Sequence, residues 1–171
     1  GLGRAIINFN QQYITGPEKL WATIFIASLT GISDYFEALA AHHLPHPPNS
    51  LRQRVKAVYK LTARHEESLA RRFIDFVASK PGIRLIGPDS GECSVRVPTF
   101  SFVVEGMESA EIAERLLAHK ISLSNGHFYA KRLLEAIGIG DSEDGVVRVS
   151  MAHYTTMDDV ERLIEGLGQV L

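Results

Sequence analysis

The sequence predicts an α+β domain in which helices cover a short antiparallel or mixed sheet, preceded by a long helix. Short stretches with strand periodicity alternate with amphipathic stretches along the second half of the chain, in the order β-β-α-β-α-β-α. No glycine-rich phosphate-binding loop joins a strand to a helix. The 171 residues are 45% hydrophobic and 22% charged, which is typical of a globular protein with a sizeable core.

The first part of the chain predicts one helix and a stiff connector. Residues 1–19 are weakly periodic and interrupted by a Gly-Pro pair, so we expect them to be irregular. From Trp21 to Leu39 apolar residues recur near helical spacing, which predicts a mostly buried helix. Residues 41–50 contain three prolines, which cannot continue a helix and which stiffen the link.

A long amphipathic helix is predicted over about residues 51–79, with Asn49 or Ser50 as its N-cap. One face carries residues spaced three and four apart, while arginines and glutamates occupy the other side. The residues of that face are Val55, Val58, Tyr59, Thr62, His65, Leu69, Phe73, Phe76 and Val77. We therefore expect this face to pack against the sheet.

Four short strands follow. Residues 80–87 end the long helix at a Pro-Gly pair and begin the first strand, and residues 96–106 alternate phenylalanine with polar residues, as a half-buried strand does. Ile121 to Leu123 is predicted as the third strand, ending at the turn Asn125-Gly126. Residues 145–151 form the fourth.

The helices between and after the strands have recognisable start signals. Ser109 is predicted to cap a helix over about 110–119. The last helix is predicted to begin at Thr155 or Thr156, and Asp159, three residues after Thr156, can complete a capping box.

Charge and cysteine content exclude several classes of protein. The net charge of −2 gives no basic footprint for nucleic acid or an anionic membrane. The longest apolar run, residues 20–29, is too short to span a bilayer and lacks a signal-peptide context. A single cysteine, Cys93, cannot form an internal disulfide and suits a reducing compartment. We therefore expect a cytoplasmic protein.

Two groups of residues carry weak signals for chemistry. Histidines 42, 43 and 46 could bind a metal, but no acidic or cysteine ligands accompany them at zinc spacing, which favours a solvated connector. Cys93 would need a cationic or helix-N-terminal setting to be reactive, and only Arg96 is close in sequence. No metal site is predicted.

Arg148 carries a stronger signal. It stands between Val147 and Val149 in a predicted central strand, where a guanidinium loses hydration unless an anion receives it. The partner could be a bound carboxylate or phosphate, or a glutamate of the same chain, and the strand pattern alone leaves both open. His127 taken alone favours a structural histidine.

Residues 125–130 (NGHFYA) and 145–167 (GVVRVSMAHYTTMDDVERLIEGL) resemble the C-terminal part of cysteine desulfurase-like proteins, which are class V aminotransferases of the pyridoxal-phosphate fold-type I superfamily. The stretches KPGIRLIG and RVPTFSF follow the family's order. The pair GPEKL and IASLTGISDYFEAL is similar to the segment after the family's cofactor lysine. The resemblance covers residues 16–171.

The resemblance implies a pyridoxal-phosphate enzyme that acts on an amino acid and is a homodimer when full length. Residues 1–48 would be the remnant of the large cofactor domain and a linker, and residues 49–171 the C-terminal small domain. Arg148 would bind the substrate α-carboxylate. Asn125, His127 and Tyr129 would line the same mouth. Thr23 is the candidate for binding the cofactor phosphate.

The chain departs from the family at two places. The desulfurase pattern Arg-x-Gly-His-His-Cys-Ala is replaced here by residues 124–130, with Tyr129 in the place of the cysteine nucleophile. A phenol is little ionised at neutral pH and cannot carry a persulfide, so we expect the parent enzyme not to be an efficient cysteine desulfurase.

The second departure concerns lysine. None of lysines 19, 56, 60, 80, 120 and 131 stands in the Ser/His-Lys turn that carries the family's cofactor. We therefore expect the C-terminal segment of a longer enzyme, made by cloning, proteolysis or a split gene. We expect this segment to hold no covalent cofactor, to have no catalytic residue of its own and to be inactive in isolation. The alternative is a non-catalytic binding or assembly module that retains the fold. A stand-alone domain without a site is a weaker third. In a fragment that lacks much of the large-domain interface, we expect residues 20–40 to expose apolar surface and self-associate.

Overall fold

A computed structural model describes the backbone of residues 17–171 and the side chains of residues 28–171. The chain forms two compact units that divide between Leu61 and Thr62. The predicted domain boundary between residues 48 and 49 stays a prediction.

In the first unit, helix α1 spans Pro17–His43. The prediction that residues up to 19 are irregular is therefore wrong for 17–19, because proline is well tolerated in the first turn of a helix; residues 1–16 lie outside the described part. Because α1 continues to His43, the connector is also shorter than the predicted 41–50.

The apolar face of α1 is not mostly buried, contrary to the prediction. Leu29, Ile32 and Tyr35 are 47%, 52% and 47% exposed, whereas Ala40 is buried. Helical spacing identifies an apolar face but does not say whether its partner belongs to the same chain. The expectation of exposed apolar surface over residues 20–40 is confirmed for its described side chains.

Helix α2 spans Leu51–Ala78. Ser50 caps it as predicted, since its Oγ accepts a hydrogen bond from the backbone N–H of Gln53 at 3.3 Å. Arg54 ties the connector down by donating to the carbonyl oxygens of Pro48 and Asn49 and to the carboxylate of Glu37, at 2.8, 2.9 and 2.9 Å.

The second unit is built on a four-stranded sheet, with strands in the order β1-β2-β4-β3 and every neighbouring pair antiparallel. The strands are β1 (Ile83–Ile86), β2 (Thr99–Val104), β3 (Ser124–Gly126) and β4 (Val146–Ser150). The helices are α3 (Ser109–Leu117), α4 (Lys131–Ala136) and α5 (Met157–Val170). The predicted α+β class and order of elements are confirmed.

One side of the sheet, which we call the helix-covered face, carries the main core. Phe100 and Phe102 of β2 and Val147 and Val149 of β4 are at most 2% exposed. They pack with buried residues of α2, α3 and α5. Because side chains alternate along a strand, the residues between them point to the other side, which we call the second face.

The second face is covered by a smaller apolar cluster, in which Leu134, Ile139 and Val146 are buried. Arg84 of β1 donates to the carbonyl oxygens of Ile137 and Gly138, at 2.5 and 3.2 Å. These two bonds fix the segment after α4 over the sheet.

The start of α3 corrects one prediction. Ser109 does not cap its helix; the Asp144 carboxylate does so, by accepting the backbone N–H groups of Ser109 and Ala110 at 2.7 and 3.2 Å. Ser109 Oγ instead donates to the carbonyl and the carboxylate of Asp144. The cap comes from 35 residues along the chain, so local sequence could not reveal it.

The start of α5 confirms another prediction. Thr156 Oγ1 accepts the Asp159 N–H at 3.2 Å, and the Asp159 carboxylate accepts the Thr156 N–H at 2.9 Å. This is the reciprocal capping box.

The third strand lies later than predicted. Residues 121–123 are not a strand; β3 is Ser124–Gly126, the stretch that the Asn-Gly pair suggested to be a break. Ile121 and Leu123 pack against the main core instead. Their apolar character therefore reflects burial without strand pairing.

Candidate functional site

The candidate site lies on the second face, where β4 meets the turn after β3. Arg148 is the middle residue of β4 and is paired in register with Ser101 of β2 and Ser124 of β3. Its neighbours Val147 and Val149 enter the main core, so the Arg148 side chain points to the second face.

The Arg148 guanidinium makes one described contact. Its central carbon lies 3.8 Å from the centroid of the Phe128 ring. Among residues 28–171 it forms no ion pair and no hydrogen bond. Within the described part of the chain, Arg148 therefore does not form the alternative salt bridge with a glutamate.

The turn that presents Phe128 has an unusual backbone. Phe128 and Tyr129 have φ angles of +49° and +62°, in the left-handed region that non-glycine residues rarely adopt. His127 stabilises the turn: its Nδ1 accepts the Tyr129 N–H at 3.1 Å and its carbonyl accepts the Ala130 N–H at 2.7 Å. Because Nδ1 accepts, the neutral ring carries its proton on Nε2. This contact matches the structural role that His127 alone suggested.

Gly145 holds the same turn against β4. Its φ is +80°, and a Cβ at this position would overlap the backbone of Gly126 and His127. Only glycine allows this approach. Sequence analysis missed Gly145 and Phe128; the Asp-Gly pair at 144–145 signalled a turn, but nothing in the sequence indicated which residue would contact Arg148.

The other predicted site residues are not all brought together. Asn125 is paired in register with Val147, which sets it on the side of the sheet opposite to Arg148. Tyr129 lies in the turn and is fully exposed. The side chain of Thr23 lies outside the described residues.

A depression of about 450 Å³ also lies on the second face, lined by Arg84, Val103, Gly138 and Asp144 among other residues. Arg148 is not part of its lining.

Cys93 is not in an activating environment. Its backbone N–H donates to the Glu67 carboxylate at 3.2 Å. A hydrogen bond from the Cys93 side chain, followed by one from Arg71, lowers the pKa of Glu67 to about 2. The same bond to Glu67 raises the pKa of the Cys93 thiol, which disfavours the nucleophilic thiolate.

A lysine that forms a Schiff base needs a setting that disfavours its charge. The Lys131 ammonium pairs with Glu143, which raises its pKa. The Lys80 ammonium lies 5.5 Å from the centroid of the Phe76 ring. Lysines 56, 60 and 120 are exposed. The lysines with described side chains therefore do not fit a covalently held pyridoxal cofactor.

The described residues contain no group of three or more His, Cys, Asp and Glu side chains arranged to hold a metal ion. The rings of His42 and His43 lie 4.6 Å apart. From residue 17 onward, no helix combines the length and apolarity needed to cross a membrane.

Comparison with solved structures identifies the fold. The chain superposes on a cysteine desulfurase from Escherichia coli with a TM-score of 0.54, at 23% identity, over 70% of this chain and 29% of that one. A NifS-like protein from Rickettsia africae gives a TM-score of 0.56 at 18% identity, over 73% and 35%. At these identities the similarity concerns the fold alone.

Sequence comparison identifies the family. An aminotransferase-like protein of Gibberella zeae is 44% identical over 68% of this chain, and a probable cysteine desulfurase of Pseudomonas putida is 33% identical over 64%. The chain spans 29% and 25% of the lengths of these two relatives. The sequence pattern of the family described as Aminotransferase class-V matches residues 55–163. The chain therefore belongs to the class-V aminotransferase family.

Proposed function

We propose that this chain supplies the substrate-recognition part of a pyridoxal-phosphate-dependent enzyme that acts on an amino acid, with Arg148 as the receptor for the α-carboxylate. The observation that carries the proposal is the Arg148 guanidinium, which is half-buried on a central strand without an ion pair or hydrogen bond among residues 28–171. Membership of the class-V aminotransferase family supports the choice of an amino acid as substrate.

The chemistry of Arg148 suits this role. A planar guanidinium can give a carboxylate two parallel hydrogen bonds, which lysine cannot do. Its position in the middle of β4, between Ser101 and Ser124, fixes the direction from which a carboxylate must approach. His127 shapes the adjoining turn, and Tyr129 faces the substrate side chain. Asn125, which lies on the opposite side of the sheet, is not part of this site.

The remaining parts of the proposed enzyme follow from the family. Residues 49–171 form the small domain and residues 1–48 the linker and part of the cofactor domain, with Thr23 near the cofactor phosphate across a homodimer in the cytoplasm. The lysine that holds the cofactor lies outside residues 28–171, because the lysines of that range are exposed, ion-paired or close to a ring.

A second candidate is a binding or assembly module that retains the fold without catalysis. Tyr129, which stands where desulfurases have cysteine, favours it. Reduction with borohydride in the presence of pyridoxal phosphate should leave no specifically labelled lysine on the 171-residue chain. A single stoichiometric label, for instance on Lys19, would contradict both candidates' account of where the cofactor is held.

The proposal is tested in a protein that joins this chain to its cofactor-binding part. Arg148→Lys should lower kcat/KM for an amino-acid substrate by at least about tenfold, as expected for loss of a charge-assisted pair. The same variant should leave kcat/KM for the matching amine, which lacks the carboxylate, nearly unchanged. Arg115→Lys, which alters an exposed arginine paired with Glu111 on α3, is the matched control and should change neither value. An equal loss for the amino acid and the amine would refute the assignment.

A further inference from the structure

We infer that Phe128 is the positioning residue of this site: its ring fixes the plane of the Arg148 guanidinium so that the edge of the fork stays open to a carboxylate. The inference deepens the proposed function and rests on it, since it takes Arg148 to be the carboxylate receptor. Its basis is the separation of 3.8 Å between the guanidinium carbon and the ring centroid.

A ring beneath a guanidinium can restrict the arginine side chain without occupying its hydrogen-bond donors, which a hydrogen bond cannot do. All five N–H donors of arginine lie in the guanidinium plane, and a phenyl ring below that plane consumes none of them. A carboxylate or carbonyl partner would occupy the same donors that a substrate needs. Phe128 therefore restricts the Arg148 side chain, which otherwise has considerable rotamer freedom, while leaving its donors free.

Another arginine of the same unit provides a contrast. The guanidinium of Arg96 lies 4.2 Å from the centroid of the Phe100 ring. Its donors, however, are taken by the backbone carbonyls of Pro88, Val97 and Thr99. Arg96 thus lies over a ring and donates hydrogen bonds from all three of its nitrogens, as a structural arginine does, whereas Arg148 lies over a ring and has no described hydrogen-bond partner for its guanidinium.

The backbone at Phe128 supports the same conclusion. A bulky residue at φ +49° is an outlier that persists only where its surroundings enforce it. Here the enforcing contacts are the bond from the Tyr129 N–H to His127 and the close approach of Gly145. The Phe128 side chain also packs against the cluster of Leu134, Ile139 and Val146. One of the two strained residues of this turn is thus the residue whose ring lies over Arg148.

The test uses the catalytically competent protein and three variants. Phe128→Leu should raise KM for the amino acid about two- to thirtyfold, the range expected for loss of a cation–π contact, with kcat little changed. KM for the matching amine should not change. Phe128→Tyr, which keeps the ring, should retain the normal KM. Leu133→Ala, which truncates an exposed apolar residue of α4, is the control and should leave both KM values unchanged.

A second measurement does not depend on turnover. In the 171-residue chain, the ¹⁵N relaxation of the Arg148 Nε–H group should report a restricted side chain, and Phe128→Leu should make it mobile. If Phe128→Leu frees the side chain while Arg148→Lys does not affect amino-acid turnover, positioning is supported and the carboxylate assignment fails. If Arg148→Lys lowers turnover but Phe128→Leu changes neither KM nor mobility, the inference is overturned.

Discussion

The two faces of one sheet have different partners in this protein. On the helix-covered face, Phe100, Phe102, Val147 and Val149 are almost fully buried beneath three helices. On the second face, the same two strands present Ser101 and Arg148, both half-buried, beside a small apolar cluster. Strand alternation thus separates the residues that stabilise the fold from the residue that we assign to binding.

Arg72 and Arg148 differ in the same way, one stabilising the fold and the other assigned to binding. Arg72 of α2 forms a two-pronged pair with Glu161 of α5, through bonds of 2.6 and 2.7 Å. Arg148 has no such partner among residues 28–171. An arginine that is paired within the chain joins two helices, whereas one that contacts only a ring keeps its donors for an anion.

The largest effect should come from the helix-covered face. Phe100→Ala removes a ring that is 0% exposed and lies 4.8 Å from the Phe73 ring. It should lower the free energy of unfolding by about 3–5 kcal/mol, measured by denaturant titration. Val103→Ala, on the second face of the same strand, should cost clearly less. Equal losses of stability from the two variants would show that the two faces contribute equally to the fold, contrary to this prediction.

A smaller but still large effect should come from the turn beside Arg148. Gly145→Ala should cost about 2–4 kcal/mol, because it adds left-handed strain to an overlap with the backbone of Gly126 and His127. Gly140→Ala is the matched control, since a Cβ there would meet nothing within 4 Å. A Gly145→Ala protein of normal stability would show that the turn is not held in this way.

Replacing either arginine should change the free energy of unfolding by less, and the loss should be larger for Arg72 than for Arg148. Arg72→Met should lower the free energy of unfolding by up to about 1 kcal/mol at low salt, because its pair with Glu161 is partly exposed and screened. Arg148→Met should change stability by no more than about 0.5 kcal/mol. A loss for Arg148→Met larger than that for Arg72→Met would favour a structural role for Arg148.

The smallest predicted effect is the loss of stability at acid pH that arises from Glu67 of α2. Hydrogen bonds from Cys93 and Arg71 lower the pKa of Glu67 from 4.5 to about 2. A depressed carboxyl pKa contributes stability that is fully present above the unfolded-state value and is lost as pH falls toward the folded-state value. Stability should therefore decline between about pH 4.5 and 2, and Glu67→Gln should decline less over that window. Parallel curves for the two proteins, followed by circular dichroism, would contradict this.

Sequence analysis gave the order of elements and the capping box at Thr156, because alternation, helical spacing and local caps are written in neighbouring residues. It misplaced β3, since Ile121 and Leu123 are apolar for packing and not for pairing. It missed the cap that Asp144 gives to α3 and the ring beneath Arg148, because both depend on contacts between distant residues. It also assumed a buried α1 face, because the pattern does not name the partner.

The most direct test is a structure of the catalytically competent protein with an unreactive amino acid bound. Our account predicts that the α-carboxylate accepts two parallel hydrogen bonds from the Arg148 guanidinium, at about 2.7–2.9 Å, with the Phe128 ring still stacked on its face. A carboxylate bound elsewhere, with Arg148 paired to an acidic side chain of the protein, would contradict it.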